Sequence, residues 1–303
     1  MSGFSSSLLV SQMKLLKKII MNMKVEDTRR YQDLLGDLEI KALKGKVRYE
    51  KESFSRFEAV TAYPVDKGSF DRVMLYLHGG SYTSGSLKYA EGFGGAMAEY
   101  FGNPVLCAAY RLAPEDPYPA ALEDAFDAYV YLHDKYGADK IYLVGESAGG
   151  GLMFALLLKL KNEGMDMPAG CVALSPWTDL TFSGESYKTN EKNDPSLFEA
   201  SLRKNGDLYR GRVPAEDPYI SPAFADTKGF PPTAVICGTI EILYDDSVMM
   251  AKKLAHDGVD VFFKAYEGMW HVFVLFPIPE AKEAMGDIKE FIERCERKRI
   301  GEQ

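Results

Sequence analysis

Ser147 stands in Gly145-Glu146-Ser147-Ala148-Gly149, where the apolar run Ile141 to Val144 breaks and apolar character resumes from Leu152. A serine between two glycines at the end of a strand and the start of a helix has two readings. It is a glycine-rich turn that binds a phosphate or nothing, or it is a nucleophile whose neighbours lack bulk because the turn is sharp. In the second reading the N-terminus of the following helix favours negative charge at the serine.

A serine hydroxyl is a poor nucleophile until a base takes its proton. The chain has 4 histidines. His133, in "AYVYLHDKYG", lies near a helix end, and His256, in "KKLAHDG", occupies a last helical turn where an imidazolium complements the helix dipole. His271, in "YEGMWHVF", follows the last apolar strand and is the expected base; its bland alternative is a buried histidine satisfied by backbone. The base needs a carboxylate to hold its tautomer. "CGTIEILYDDS", residues 237–247, leaves a strand and offers Glu241 in the loop, then Asp245 and Asp246 where a helix begins and acids serve as caps. Glu241 is the expected acid, against a solvated loop carboxylate. Finally, an oxyanion needs donors. "YLHGGSYTSGS" supplies amides at Gly79 and Gly80, and Ala148 supplies one just after the serine. A plain tight loop is the alternative there, and His78 is expected to anchor the loop.

These residues need a scaffold that gathers distant loops at one edge. "RVMLYL" (72–77), "PVLCAAY" (104–110), "KIYLVG" (140–145), "GCVALS" (170–175), "TAVICG" (233–238) and "DVFFKAY" (260–266) have the composition of buried strands. Helical patterns near 88–101, 119–136, 147–162, 245–257 and 280–298 alternate with them. That alternation predicts an α/β fold with a largely parallel sheet covered on both faces. Residues 47–60 supply antiparallel edge strands. Two stretches break the alternation: residues 1–45, helical and ahead of the sheet, and residues 181–212, too long for a simple crossover. Both are assigned to a helical cap over the C-terminal strand ends, leaving 46–180 and 213–303 as the core. Leu8, Leu9, Met13, Leu15, Leu16, Ile19, Ile20 and Met23 fit an amphipathic helix interrupted by lysines, which predicts neither a signal peptide nor a membrane span.

The net charge of -8 disfavours nucleic acid and anionic membrane as partners. Cys107, Cys171, Cys237 and Cys295 are scattered without a Cys-x-x-Cys, which points to a reducing, cytoplasmic location and against a disulfide scaffold or a zinc site. Assembly into a homo-oligomer stays open on these residues.

Together "LHGGSY", "YRLAPEDPYPAALED", "GESAGGGL", "SPWTDL", "DPYISPAFAD", the loop 238–246 and "GMWHVF" resemble the hormone-sensitive-lipase-like esterases of the α/β-hydrolase fold, from about residue 70 to 290. The resemblance implies a Ser-acid-His triad, a backbone oxyanion hole after the His-Gly dipeptide, a helical cap that includes the N-terminus, and hydrolysis of small carboxylic esters without metal or cofactor. Three positions depart from the family pattern. Glu241 replaces aspartate in Asp-x-Leu-x-Asp, Ser81 stands where a third glycine or alanine is common, and Glu146 replaces the aspartate before the serine. Arg111 and Glu115 of "YRLAPE" are expected to form a buried structural ion pair. Tyr82, Trp177, Phe182 and Trp270 are candidates to line a substrate pocket, with core packing as the alternative. The expected reaction is acyl transfer from short-chain esters. An amidase or peptidase on the same scaffold, and a non-catalytic ligand-binding relative, are the competing readings.

Overall fold

The computed structural model describes residues 6–21, 23–66, 68–299 and 301. Within them the short apolar runs become strands of one sheet. Its order is β1 (Val47–Ser53), β2 (Glu58–Pro64), β4 (Val105–Ala109), β3 (Val73–Leu77), β5 (Ile141–Glu146), β6 (Gly170–Leu174), β7 (Thr233–Gly238) and β8 (Val261–Tyr266). From β4 to β8 all neighbours are parallel, while β1 and β2 pair antiparallel with each other and β2 pairs antiparallel with β4. The edge hairpin falls where the sequence predicts it, although β2 runs on to Pro64, beyond the expected end at residue 60.

Strand periodicity explains the two faces. Val73, Leu75 and Leu77 point to one core with Ile141 and Leu143, and Met74 and Tyr76 point to the other with Tyr142 and Val144. The first core is closed by α4 (Ala120–Tyr136), α5 (Ala148–Glu163) and α8 (Tyr244–His256), and the second by α3 (Leu87–Phe101) and α9 (Pro279–Arg299). Strands buried on both sides need apolar residues at every position, which is why they read as continuous runs rather than alternating ones.

The N-terminal helices α1 (Ser6–Met21) and α2 (Val25–Ala42) precede the sheet. Leu9 and Met13 pack on the core, but Leu15 is 80% exposed, so the expected apolar face is only partly used; the side chains of Leu16, Ile19 and Ile20 lie outside the described residues. Arg29 of α2 donates from Nε to the Thr83 carbonyl at 2.9 Å and pairs with Glu115 at 2.9 Å. That contact corrects the expected Arg111–Glu115 pair. Arg111 instead forks onto buried Asp124 at 2.8 Å, because the two face each other where α4 passes the end of β4. Among the described residues no helix is long and apolar enough to cross a membrane.

Candidate active site

The chain turns sharply between β5 and α5. Ser147 adopts φ 53 and ψ -121, a backbone region that costs a non-glycine residue of order 1–3 kcal/mol. The turn closes because its flanks are glycines. A Cβ on Gly145 would lie 2.3 Å from the Gly149 carbonyl, and one on Gly149 would lie 2.0 Å from the Leu77 carbonyl. The Ser147 amide donates to the Leu174 carbonyl at 2.9 Å, and Ser147 opens α5, with the helix N-terminus behind its hydroxyl.

His271 lies between β8 and α9, and Glu241 lies between β7 and α8. Parallel strands deliver both loops to the same end of the sheet as the serine turn. His271 Nε2 is 2.9 Å from Ser147 Oγ, and His271 Nδ1 is 2.8 Å from Glu241 Oε2. Glu241 is fully buried, and burial pushes its carboxyl above the ordinary range, opposed by the hydrogen bond and charge of His271. Asp245, the competing acid, accepts the Ser186 amide at 2.8 Å, and Asp246 accepts the amides of Thr178 and Asp179. His133 sits beside the exposed Asp134 and Asp166, and the exposed His256 pairs with Asp257, so neither joins this cluster.

The glycine loop needs one correction. The Gly79 amide, expected as an oxyanion donor, already donates to Glu146 Oε1 at 2.7 Å, and Tyr89 donates its hydroxyl to the same oxygen at 2.7 Å. Gly80 and Ala148 donate to no protein acceptor among the described hydrogen bonds, and neither does Ser81, whose φ is 54. Glu146, set aside in the sequence as a mere neighbour, therefore tethers the loop. It is fully buried, and burial raises its carboxyl above the ordinary range. His78 anchors the loop as expected: Nδ1 meets the Gly79 carbonyl at 2.7 Å, and its ring stacks on Tyr110 with centroids 4.3 Å apart.

Ser147 and His271 open into a cleft of about 270 Å³. Its apolar wall comes from Met23, Val25, Leu197, Phe198 and Leu202, and its polar wall includes Gln32, Lys204 and Asn205. Tyr82, Trp177 and Trp270 do not contribute to it. Each is at most 1% exposed, and Tyr82 stacks on Tyr209 at 3.7 Å, so these large rings fill the core beneath the cleft. Phe182 borders a separate groove with Arg203 and Arg210. Ser175 heads the "SPWTDL" motif but is assigned no role from the sequence; its hydroxyl accepts the Val272 amide at 3.1 Å and so holds the histidine loop.

Comparison with known proteins agrees with this arrangement. Residues 74–275 match the family described as alpha/beta hydrolase fold. The chain is 38% identical to an esterase of Acinetobacter venetianus over 229 residues, covering 74% of this chain and 76% of the relative. It is 36% identical to an acetyl-hydrolase of Streptomyces hygroscopicus, over 71% of this chain and 73% of that protein. A solved esterase from the bacterial hormone-sensitive lipase family superposes with a TM-score of 0.88 at 34% identity, covering 96% of this chain and 99% of that one. With a serine turn, a histidine loop and a glycine loop at one end of a parallel sheet, the chain belongs to the alpha/beta hydrolase fold family, in its hormone-sensitive-lipase-like esterase branch.

Proposed function

We propose that this protein hydrolyses short-chain carboxylic esters through an acyl-enzyme on Ser147. His271 Nε2 takes the Ser147 proton as the oxygen attacks the ester carbonyl. Glu241 holds the imidazole by Nδ1 and stabilises the imidazolium. Amides of Gly80, Ser81 and Ala148 receive the oxyanion, aided by the N-terminus of α5. As the carbonyl reforms, the bond to the leaving alcohol breaks and His271 returns its proton to that oxygen. Water then gives a proton to His271 and attacks the acyl-enzyme; the serine leaves, regains its proton and the carboxylic acid departs.

The observation that carries this reading is the continuous relay from Ser147 Oγ to His271 at 2.9 Å and on to Glu241 at 2.8 Å, opening into the cleft. Four buried thiols, all unpaired, favour the reducing, cytoplasmic location. We assign residues 1–45 and 181–212 to a cap on a core of 46–180 and 213–303; the contribution of Met23, Val25 and Leu197 to the cleft wall supports that division.

A fluorophosphonate probe tests the nucleophile. The expected adduct maps to the peptide containing Ser147 and disappears in Ser147→Ala, with ester turnover lost in parallel. Labelling elsewhere, or an amide substrate turned over faster than its matched ester, would overturn the reading.

A further inference from the structure

The loop that carries Glu241 is held from the cap side. Asn190 and Asp194 stand one helical turn apart after the short helix α6 (Ser186–Thr189). Asn190 donates from Nδ2 to the Glu241 carbonyl at 2.9 Å and to the Thr239 carbonyl at 3.1 Å. Asp194 accepts the Ile242 amide on Oδ2 at 2.9 Å. The Glu241 carbonyl and the Ile242 amide belong to one peptide group, so the two side chains grip both of its polar edges.

The other oxygen of Asp194 faces the cleft wall. Oδ1 accepts the Ser196 amide at 2.7 Å, the Ser196 hydroxyl at 2.8 Å and the Leu197 amide at 3.0 Å. Ser196, Leu197 and Phe198 all line the cleft. The same segment is pinned from α1, where buried Lys17 donates to the carbonyls of Glu191 at 2.8 Å and Asp194 at 2.6 Å and lies 4.0 Å over the Phe198 ring.

Asp194 is fully buried; its charge is attracted by the Lys17 ammonium and opposes the ionisation of Glu241. An asparagine would relieve the repulsion but not fit. Every group facing the two oxygens is a donor, so an amide in either orientation sets a donor against a donor. A buried anion next to the triad acid is thus matched to a geometric task.

We propose that Asn190 and Asp194 are positioning residues that fix the Glu241 peptide and join the substrate wall at 196–198 to the triad acid. The inference rests on the reading of Glu241 as that acid. The rotamer of Glu241 depends on its own backbone, so a tilt of this one peptide displaces the carboxylate from His271 Nδ1. A displacement of about 1 Å from a site remote from the chemistry costs up to roughly 10²-fold in rate.

The test uses the full chain with Asp194→Asn, Asn190→Asp, Asn190→Ala and Glu241→Gln, and p-nitrophenyl acetate as substrate. Near-ultraviolet circular dichroism establishes which variants fold. Asp194→Asn and Asn190→Asp should each lower kcat by about 10- to 100-fold, with KM moving less than kcat. Their double variant should lose little more than either alone, because both act on one peptide. Asn190→Ala removes only the two donors, so it reports on the same grip if the charged exchange does not fold. The downfield proton resonance of the His271 Nδ1–H bond to Glu241 should shift or vanish in each variant; a role confined to stability would leave it in place in the folded protein. Wild-type kcat in folded Asp194→Asn and Asn190→Ala, or a lowered kcat with the resonance unmoved, would overturn the inference. Wild-type kcat in Glu241→Gln would instead overturn the triad reading beneath it.

Discussion

Glu241 gives one carboxylate oxygen to His271 Nδ1 at 2.8 Å and the other to the Gly238 amide at 3.2 Å. The second bond spans the extra methylene of glutamate, curling the side chain back toward its own strand so that its far oxygen meets the imidazole. Asp245 is occupied elsewhere, bridging to Ser186. Glu241→Gln should therefore lower kcat by about 10⁴-fold, as expected when the histidine loses its orienting anion. Asp245→Asn should change kcat little. Steady-state kinetics on both variants separates the two carboxylates, and the opposite ranking would transfer the acid role to Asp245.

The positions of the strands were legible because parallel strands buried on both faces leave unbroken apolar runs; Ser147 directly follows one, and Glu241 and His271 lie in the loops that leave two others. The Gly79 amide was not legible. A glycine shows that space is needed, not where its N–H points, and only the fold brings Glu146 and Tyr89 to that loop. The aromatics misled for a related reason: Tyr82 and Trp177 neighbour active-site motifs in the chain, yet their volume is used to fill the core under α5. Asn190 and Asp194 sit in a polar stretch whose composition is that of any loop, and their contacts to residues 239–242 exist only after folding.

His78 carries the clearest pH dependence of stability. Burial lowers its imidazole from 6.5 to about 4, since the charged form has no water around it. A lowered histidine pKa means that the unfolded chain binds the proton first. Stability is therefore complete above pH 6.5 and is lost as pH falls toward about 4. The shift corresponds to roughly 3 kcal/mol at about 1.36 kcal/mol per pH unit. Urea unfolding of the wild type at pH 7 and at pH 4 should show that loss. His78→Asn, which keeps a donor for the Gly79 carbonyl, should flatten the dependence in this window; an unchanged slope would remove His78 as its source.

Glu146 has the opposite sign. Burial raises its carboxyl above the usual 4.5, so the folded chain binds the proton more readily and stability falls as pH rises from there toward the raised value. One oxygen is held by Gly79 and Tyr89, and the buried Tyr76 hydroxyl also interacts with the carboxylate, all opposing the effect of burial. Glu146→Gln keeps an acceptor for the loop amide and removes the buried charge. The difference in Tm between Glu146→Gln and wild type should favour the variant more at pH 7 than at pH 4. A difference that does not vary with pH would mean that folding does not shift the Glu146 carboxyl.

The volume of the cleft predicts an acyl-length limit. At about 270 Å³ it is smaller than the roughly 300–1,000 Å³ of pockets for drug-sized ligands. Leu197, Phe198 and Leu202 form one apolar wall beside Ser147, and Lys17 packs against the outer face of the Phe198 ring. With the acyl group against this wall, a long chain is expected to displace the ring, whereas acetyl and butyryl groups are expected to fit. Across a series of p-nitrophenyl esters, kcat/KM should peak at short acyl chains. Phe198→Ala opens the wall without touching Ser147, His271 or Glu241, so the optimum should move to longer chains while acetate turnover is largely kept. Each added buried methylene contributes about 0.8 kcal/mol of binding, a several-fold gain per carbon until the new space is filled. A wild-type maximum at long chains, or no shift in Phe198→Ala, would mean that the acyl group occupies a different part of the cleft from this wall.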